Sequence, residues 1–244
     1  MKKRLHNLLN LLQSTSVYDW RFSLTYCPIC CRQTPFISFQ RTGIATRCLF
    51  CANTCVNLSL IPVIRTILPV SSAYEMSSYG GTHDFLKQNV PNLQISEFYP
   101  NFKLGSFVNG IRNEDVQKLT FKDESFDLVT SNQVMEHVPD DIAGYKEIFR
   151  ILRPRGFFIF SVPLYNIEKT IQRAAIVNGS IKHFEIPEYH GSRLEGPESV
   201  LTFWNHSSND ITARLNKVGF STKIVEVSIT AIQGEPYKVI KCQK

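Results

Sequence analysis

No stretch of this 244-residue chain approaches the ~18–20 uninterrupted apolar residues of a membrane-spanning helix, and its longest apolar runs, such as Gly156 to Leu164, are strand-sized. No integral membrane segment is expected. The start is basic, Met1-Lys2-Lys3-Arg4, but His6, Asn7 and Asn10 break the apolar stretch that follows, and no small-x-small cleavage site comes after it. Leu5, Leu8, Leu9 and Leu12 share one helical face, so the segment reads as a short amphipathic helix packed on the body of a cytoplasmic protein. With 43% hydrophobic and 20% charged residues and 12 each of Gly and Pro, the composition excludes collagen, coiled coil and disorder. Acids are scarce at one end only. Residues 1–74 hold eight Lys/Arg against the single acid Asp19, a charge of +7, while residues 75–244 carry −1, so the formal net charge of +6 comes from the first segment. That potential suits phosphates, acidic glycans or an anionic surface, or it marks a small module that simply lacks acids.

Six of the seven cysteines lie between Cys27 and Cys55. Cys27-Pro28-Ile29-Cys30 and Cys48-Leu49-Phe50-Cys51 are separated by 17 residues, the spacing of a four-thiolate zinc site in which each Cys-x2-Cys turn aims two sulfurs at one point. Cys31 and Cys55 are spare, and either could replace a neighbour as ligand. Phe36–Gln40 and Ile44–Arg47 flank Gly43 like the hairpin of a zinc ribbon. Four thiolates close the coordination sphere, so this zinc is expected to be structural and the chemistry to lie elsewhere.

From about Ser71 short apolar runs alternate with helical patterns, the mark of a wound α/β sheet. Strands are expected at Ser72–Met76, Leu93–Phe98, Phe126–Ser131, Phe157–Val162, Thr222–Ile229 and Tyr237–Cys242, the last two joined through Gln233-Gly234-Glu235-Pro236. Helices are expected at Thr82–Gln88, Pro139–Leu152 and Ser208–Val218, the last capped by Ser207 to Asp210 and closed by Gly219. The domain expectation is an amino-terminal helix and zinc module over residues 1–68, then an α/β domain over 69–244 with an insertion at about 165–206.

Leu119-Thr120-Phe121-Lys122-Asp123-Glu124-Ser125-Phe126-Asp127-Leu128-Val129, then Glu136-His137-Val138-Pro139-Asp140, then Glu147-Ile148-Phe149-Arg150-Ile151-Leu152-Arg153-Pro154-Arg155-Gly156 closely resemble the class I S-adenosylmethionine-dependent methyltransferases of the type 11 group. The resemblance is strong over about 45 residues, extends from Ala73 to the carboxyl terminus, and leaves out the cysteine module. It implies a Rossmann-like seven-stranded sheet with the last strand antiparallel, binding S-adenosyl-L-methionine at the carboxyl ends of the first strands.

The implied cofactor residues are Glu75, Ser77, Tyr79, Gly81, Glu97, Phe98, Asp115, Val116, Ser131, Asn132, Gln133 and His137. Glu75 would accept from the methionine ammonium. Glu97 has two acceptor oxygens for the two ribose hydroxyls. Asp115 matches the acid that receives the adenine amino group, and Ser131 to Gln133 should line the methyl-transfer end. The family's Asp/Glu-x-Gly-x-Gly-x-Gly is reduced here to Glu75-Met76-Ser77-Ser78-Tyr79-Gly80-Gly81, with Tyr79 where backbone should approach the cofactor. Glu114 and Asp123 read as solvated charges, Asp127 as a turn or cap residue, and Met76 and Phe126 as core. Glu136-His137 reads equally as a structural pair and as acid/base machinery.

Methyl transfer from a sulfonium asks mainly for proximity and orientation, but a hydroxyl acceptor must also lose a proton to a base near neutrality. The candidate bases are His190, His137 and His183. The first and last of these lie in the long 165–206 connection, which reads as an acceptor lid. The Asn/Asp-Pro-Pro-Tyr/Phe motif used on amino groups is replaced by Ser131-Asn132-Gln133-Val134. These features point to O-methylation of a small molecule or glycan. Two alternatives remain: an RNA methyltransferase gripping phosphates with its basic module, and a scaffold that has lost the cofactor.

Overall fold

Three short strands begin the computed structural model, which describes residues 20–39, 45–192, 196–229 and 236–244. β1 (Arg21–Cys27) pairs antiparallel with β2 (Arg32–Ser38), and β2 with β3 (Thr46–Cys48). The hairpin expected across Gly43 is thus β2 and β3, and β1 adds a strand to it. Its tip, the expected amino-terminal helix and most of the Gln233–Pro236 connection lie outside the described residues. Two short helices follow. Thr54 caps α1 (Cys55–Leu58) by accepting from Asn57 N–H, and α2 (Leu60–Arg65) buries Leu60, Ile61, Val63 and Ile64.

β4 (Ser72–Glu75), α3 (Gly81–Asn89), β5 (Asn92–Glu97), β6 (Phe107–Val108), β7 (Ile111–Asn113), β8 (Phe126–Asn132), α4 (Asp141–Ile151) and β9 (Leu152–Ser161) form the first half of the α/β unit. The insertion carries β10 (Leu164–Tyr165), β11 (Ile171–Gln172), β12 (Ala174–Val177), β13 (Ser180–His183), β14 (Tyr189–Ser192), β15 (Gly196–Leu201) and β16 (Trp204–Ser207). α5 (Ile211–Val218), β17 (Ser221–Val227) and β18 (Tyr237–Gln243) end the chain.

The main sheet has the order β17-β18-β9-β8-β4-β5-β7-β6. β4, β5, β7, β8 and β9 are parallel, and β18 is inserted antiparallel between β9 and β17. The last strand is therefore antiparallel as expected, but the sheet has eight strands and not seven. The extra one is β6, folded back on β7 through Asn109 and Gly110, both at positive φ (51° and 79°), the turn that an Asn-Gly dipeptide favours.

Alternation along the strands divides the core. Tyr74, Val129, Phe158 and Phe160 face α4 and α5 with Tyr145, Ile148, Ile211 and Leu215. Ala73, Leu128 and Ile159 face the other way, onto Leu58, Ile61, Ile64, Phe85 and Leu86 of α1, α2 and α3. Cys27, Cys48 and Cys55 belong to this second cluster, so the cysteine segment and the sheet share one core. No helix among the described residues is long and apolar enough to cross a membrane.

Candidate functional site

The chain runs outward from β4 to β5 and β7 and then crosses back to β8 on the other side of β4. Loops leaving the carboxyl ends of β4 and β8 diverge at this switch point, where an open α/β sheet leaves a crevice for a ligand. The loop after β4 ends at Gly80, whose φ of 102° suits glycine. Gly81 then opens α3 against the backbone of α1, and a Cβ placed on it would lie 2.7 Å from Asn57 O. Gly81→Ala is expected to push α1 off the loop at a cost of about 1–3 kcal/mol. Thermal unfolding checks this, and an unchanged melting temperature would show that α1 yields freely.

Glu75 is buried, and its Oε2 accepts from Thr130 Oγ1. Burial pushes its carboxyl up to about 8; the Thr130 bond opposes the shift and the Glu97 charge adds to it. Glu97 ends β5 beside the loop, where Ser78 donates to its Oε1 from both N–H (2.8 Å) and Oγ (2.7 Å). Ser77 Oγ bonds the Tyr79 carbonyl, which closes the loop on itself (3.1 Å). Phe98 is 52% exposed just past β5. Asp115 caps the 3-10 turn Val116–Lys118, and both its oxygens hold Gln117. Val116 packs toward Gly144 of α4. The structure thus gathers Glu75, Ser77, Ser78, Tyr79 and Glu97 around one loop, while Asp115 and Val116 are tied into the neighbouring turn.

Beyond β8, Ser131 is buried, Asn132 donates to Val56 O of α1 (3.2 Å), and Gln133 adopts a φ of 56°. Asn132 and Gln133 both bond Ser161 Oγ on β9. A 3-10 turn, Met135–His137, then carries Glu136 and His137 under the insertion. Phe203 N–H donates to Glu136 O (2.8 Å), His137 Nδ1 bonds Leu201 O (2.9 Å), and Trp204 Nε1 bonds Val138 O (2.8 Å). The docked β14–β15 hairpin brings His190 to His137 with ring centroids 5.0 Å apart. His190 Nε2 meets Glu188 Oε1 at 3.2 Å. Burial pushes the His137 pKa down and that of Glu136 up to about 8. His183, by contrast, is exposed on β13 and paired in register with Ala174.

The sulfurs of Cys27, Cys30, Cys48 and Cys51 lie within 4.8 Å of one another, with Cys27–Cys51 at 3.7 Å and Cys30–Cys48 at 3.9 Å. Four sulfurs placed tetrahedrally about 2.3 Å from one ion would be about 3.8 Å apart, so the set fits zinc. The two knuckles close alike: Cys31 N–H donates to Cys27 O and Ala52 N–H to Cys48 O, each from a residue at positive φ. Neither spare cysteine joins the cluster. Cys31 closes the first knuckle and its Sγ takes an Arg65 contact, while Cys55 is buried in the core at the start of α1.

One residue departs from its sequence reading. Glu114 is not a solvated charge: it is 3% exposed and holds Arg112 Nε and the N–H and Oγ of Thr120. Asp123 is the solvated charge expected, exposed while it pairs with Arg150. The Glu188-Tyr189-His190 spacing sets the Glu188 carboxylate and His190 on one side of an extended segment. Asp127 is structural as read, accepting from Ser71, Ser72 and Arg153.

Known proteins share parts of this chain. A solved S-adenosylmethionine-dependent methyltransferase from Mesorhizobium loti aligns over 76% of this chain and 98% of its own at 15% identity, with a TM-score of 0.49. A sterol 24-C-methyltransferase of Aspergillus fumigatus is 45% identical over 53 residues, and a probable S-adenosylmethionine-dependent methyltransferase of Mycolicibacterium smegmatis is 42% identical over 53 residues. Each stretch is 22% of this chain, and the chain spans only 13% and 21% of those relatives' lengths. The family model described as a methyltransferase domain matches residues 85–160, from within α3 to β9, which includes β8 but not β4 of the switch point.

Proposed function

We propose that this chain is an S-adenosylmethionine-dependent methyltransferase acting on a hydroxyl of a small molecule or glycan. The observation that carries the reading is the methyltransferase-domain match over residues 85–160, which takes in Glu97 and β5 to β9 beside the loop after β4. In this reading residues 1–68 form a zinc-stabilised module on Cys27, Cys30, Cys48 and Cys51, and residues 69–244 form the catalytic domain, with the insertion at 165–206 as acceptor lid.

S-adenosylmethionine supplies an activated methyl group. Glu75 receives its ammonium and Glu97 its ribose diol, with Ser77, Tyr79 and Gly81 as the loop wall, Phe98, Asp115 and Val116 on the adenine side, and Ser131, Asn132, Gln133 and His137 toward the methyl. The acceptor hydroxyl sits between Gln133 and the insertion, where the His137–His190 pair takes its proton. Exposed His183 has no part in that step. The absence of an amino-group motif after β8 supports oxygen as the acceptor atom.

The test uses the buried acid. A carboxyl held near 8 is mostly protonated at pH 7 and ionises when an ammonium arrives, so cofactor binding should release about one proton. Calorimetry at pH 7 in buffers of different ionisation heat reads this directly, and Glu75→Gln should abolish the buffer dependence. Absence of binding by folded, metal-replete protein would refute the reading, and binding without proton release would remove Glu75 from the site. Without ligand the sign is also fixed. A raised folded pKa gives Glu75 a stabilising contribution that is present at low pH and lost as pH rises toward about 8.

A further inference from the structure

Glu136 is fully buried, and neither carboxylate oxygen has a hydrogen-bond partner outside its own residue among the described residues. An ionised carboxylate in that state is costly unless a cation meets it. Two imidazoles stand beside it: His137 Nε2 is 3.8 Å from Glu136 Oε1, and Glu136, His137 and His190 each offer a ligand atom within 4.8 Å of the others.

The outer partners of the two rings are those of metal-bound histidines. A ligating imidazole commonly donates its second N–H to a carbonyl or carboxylate, which fixes the tautomer and turns the other nitrogen to the metal. His137 Nδ1 bonds the Leu201 carbonyl at 2.9 Å, which leaves Nε2, the atom nearest Glu136. His190 Nε2 bonds Glu188 Oε1 at 3.2 Å, which leaves Nδ1, and Arg173 lies 3.4 Å from the other Glu188 oxygen.

We propose that Glu136, His137 and His190 bind a divalent first-row transition-metal ion at a second site, separate from the four-cysteine cluster. Two nitrogens and one carboxylate suit zinc, iron(II), cobalt(II) or manganese(II), and three protein ligands leave positions open for water or an acceptor oxygen. The site does not depend on methyl transfer, but its use does rest on that reading: the histidines would then act as ligands in place of bases, and the metal-bound acceptor hydroxyl, made more acidic, would pass its proton to solvent water. Since Glu136 and His137 lie on the turn after β8 and His190 on the insertion, the ion would also clamp the lid to the sheet.

Cobalt(II) loading of the full chain tests this. Wild type should take up two equivalents, one with the thiolate-to-cobalt charge-transfer band of the cysteine cluster and one without it. Glu136→Gln, which keeps the side-chain shape, and His190→Ala, on a part-exposed hairpin, should each hold one equivalent with the charge-transfer band intact. Circular dichroism reports their folding. One equivalent in wild type, or two in both variants, overturns the proposal. Calorimetry with S-adenosylhomocysteine on the same samples separates the two readings: two cobalt equivalents without nucleoside binding keep the site and sink methyl transfer, and nucleoside binding with one equivalent does the reverse.

Discussion

If Cys27, Cys30, Cys48 and Cys51 hold zinc, replacing Cys48 with serine should release it and lower the melting temperature by more than about 10 °C, the loss expected for roughly 5 kcal/mol in a domain of this size. The effect should be large because the knuckle is part of the core. Cys48 is fully buried, takes the Thr34 hydroxyl at 3.3 Å, and clusters with Phe36, Leu58 and Leu128. Arg65 ties the first knuckle to the sheet domain by donating to Pro28 O at 2.9 Å while its guanidinium covers the Phe85 ring. Ile29 Cδ1 of that knuckle packs 3.3 Å from where a Gly81 Cβ would sit, so loss of the metal should loosen the loop after β4 as well. Two controls separate ligation from burial. Cys31→Ser should keep the zinc and the stability, since Cys31 is exposed and outside the cluster; Cys55→Ser should keep the zinc but lose stability from a polar atom in the core. Zinc release measured against thiol titration in the three variants decides it. Retention of the metal by Cys48→Ser would dismiss the four-thiolate site.

The cysteine spacing was enough to foresee two knuckles because Cys-x2-Cys is a local geometry. The strand β1 before them was harder to read. Its apolar residues Phe22, Leu24 and Tyr26 point outward and Thr25 and Cys27 inward, since the position of Cys27 in the cluster sets which face turns in, and polarity alternation alone assigns the faces the other way round. Helices α3, α4 and α5 and the long strands of the main sheet follow from apolar periodicity and caps, with Asp140 capping α4 through Ala143 N–H and Gly219 ending α5 at a φ of 122°. Two hairpins carry an Asn-Gly turn signal: Asn109-Gly110 produces the eighth strand, and Asn178-Gly179, at φ of 51° and 77°, turns β12 into β13. The cluster of Glu136, His137 and His190 could not be read from spacing. It joins the end of β8 to a hairpin more than fifty residues later, and only docking through Leu201, Phe203 and Trp204 brings the two together.

Removing the Glu97 carboxylate should weaken binding of S-adenosylmethionine and its demethylated product by about 3 kcal/mol, or roughly two orders of magnitude in Kd. Two hydrogen bonds to a charged acceptor account for that size, and the partly exposed position of Glu97 keeps it below their full sum. Both hydrogen bonds to the Glu97 carboxylate, from Ser78 N–H and Oγ, fall on Oε1, and Oε2 accepts none among the described residues. A ribose diol needs two acceptors. It can take Oε2 at once, and Oε1 if Ser78 gives way. Ser78→Ala should therefore leave affinity within a few-fold of wild type, since the backbone N–H still orders the loop while one competitor for Oε1 is gone. Glu97→Gln should fall between wild type and Glu97→Ala, because an amide keeps one acceptor oxygen and presents donors where the second hydroxyl needs an acceptor. Calorimetric Kd values for the three variants test this ordering. Equal affinity in wild type and Glu97→Ala would take the ribose away from β5, and a Ser78→Ala loss as large as that of Glu97→Ala would mean that Glu97 acts by holding the loop and not by meeting the nucleoside.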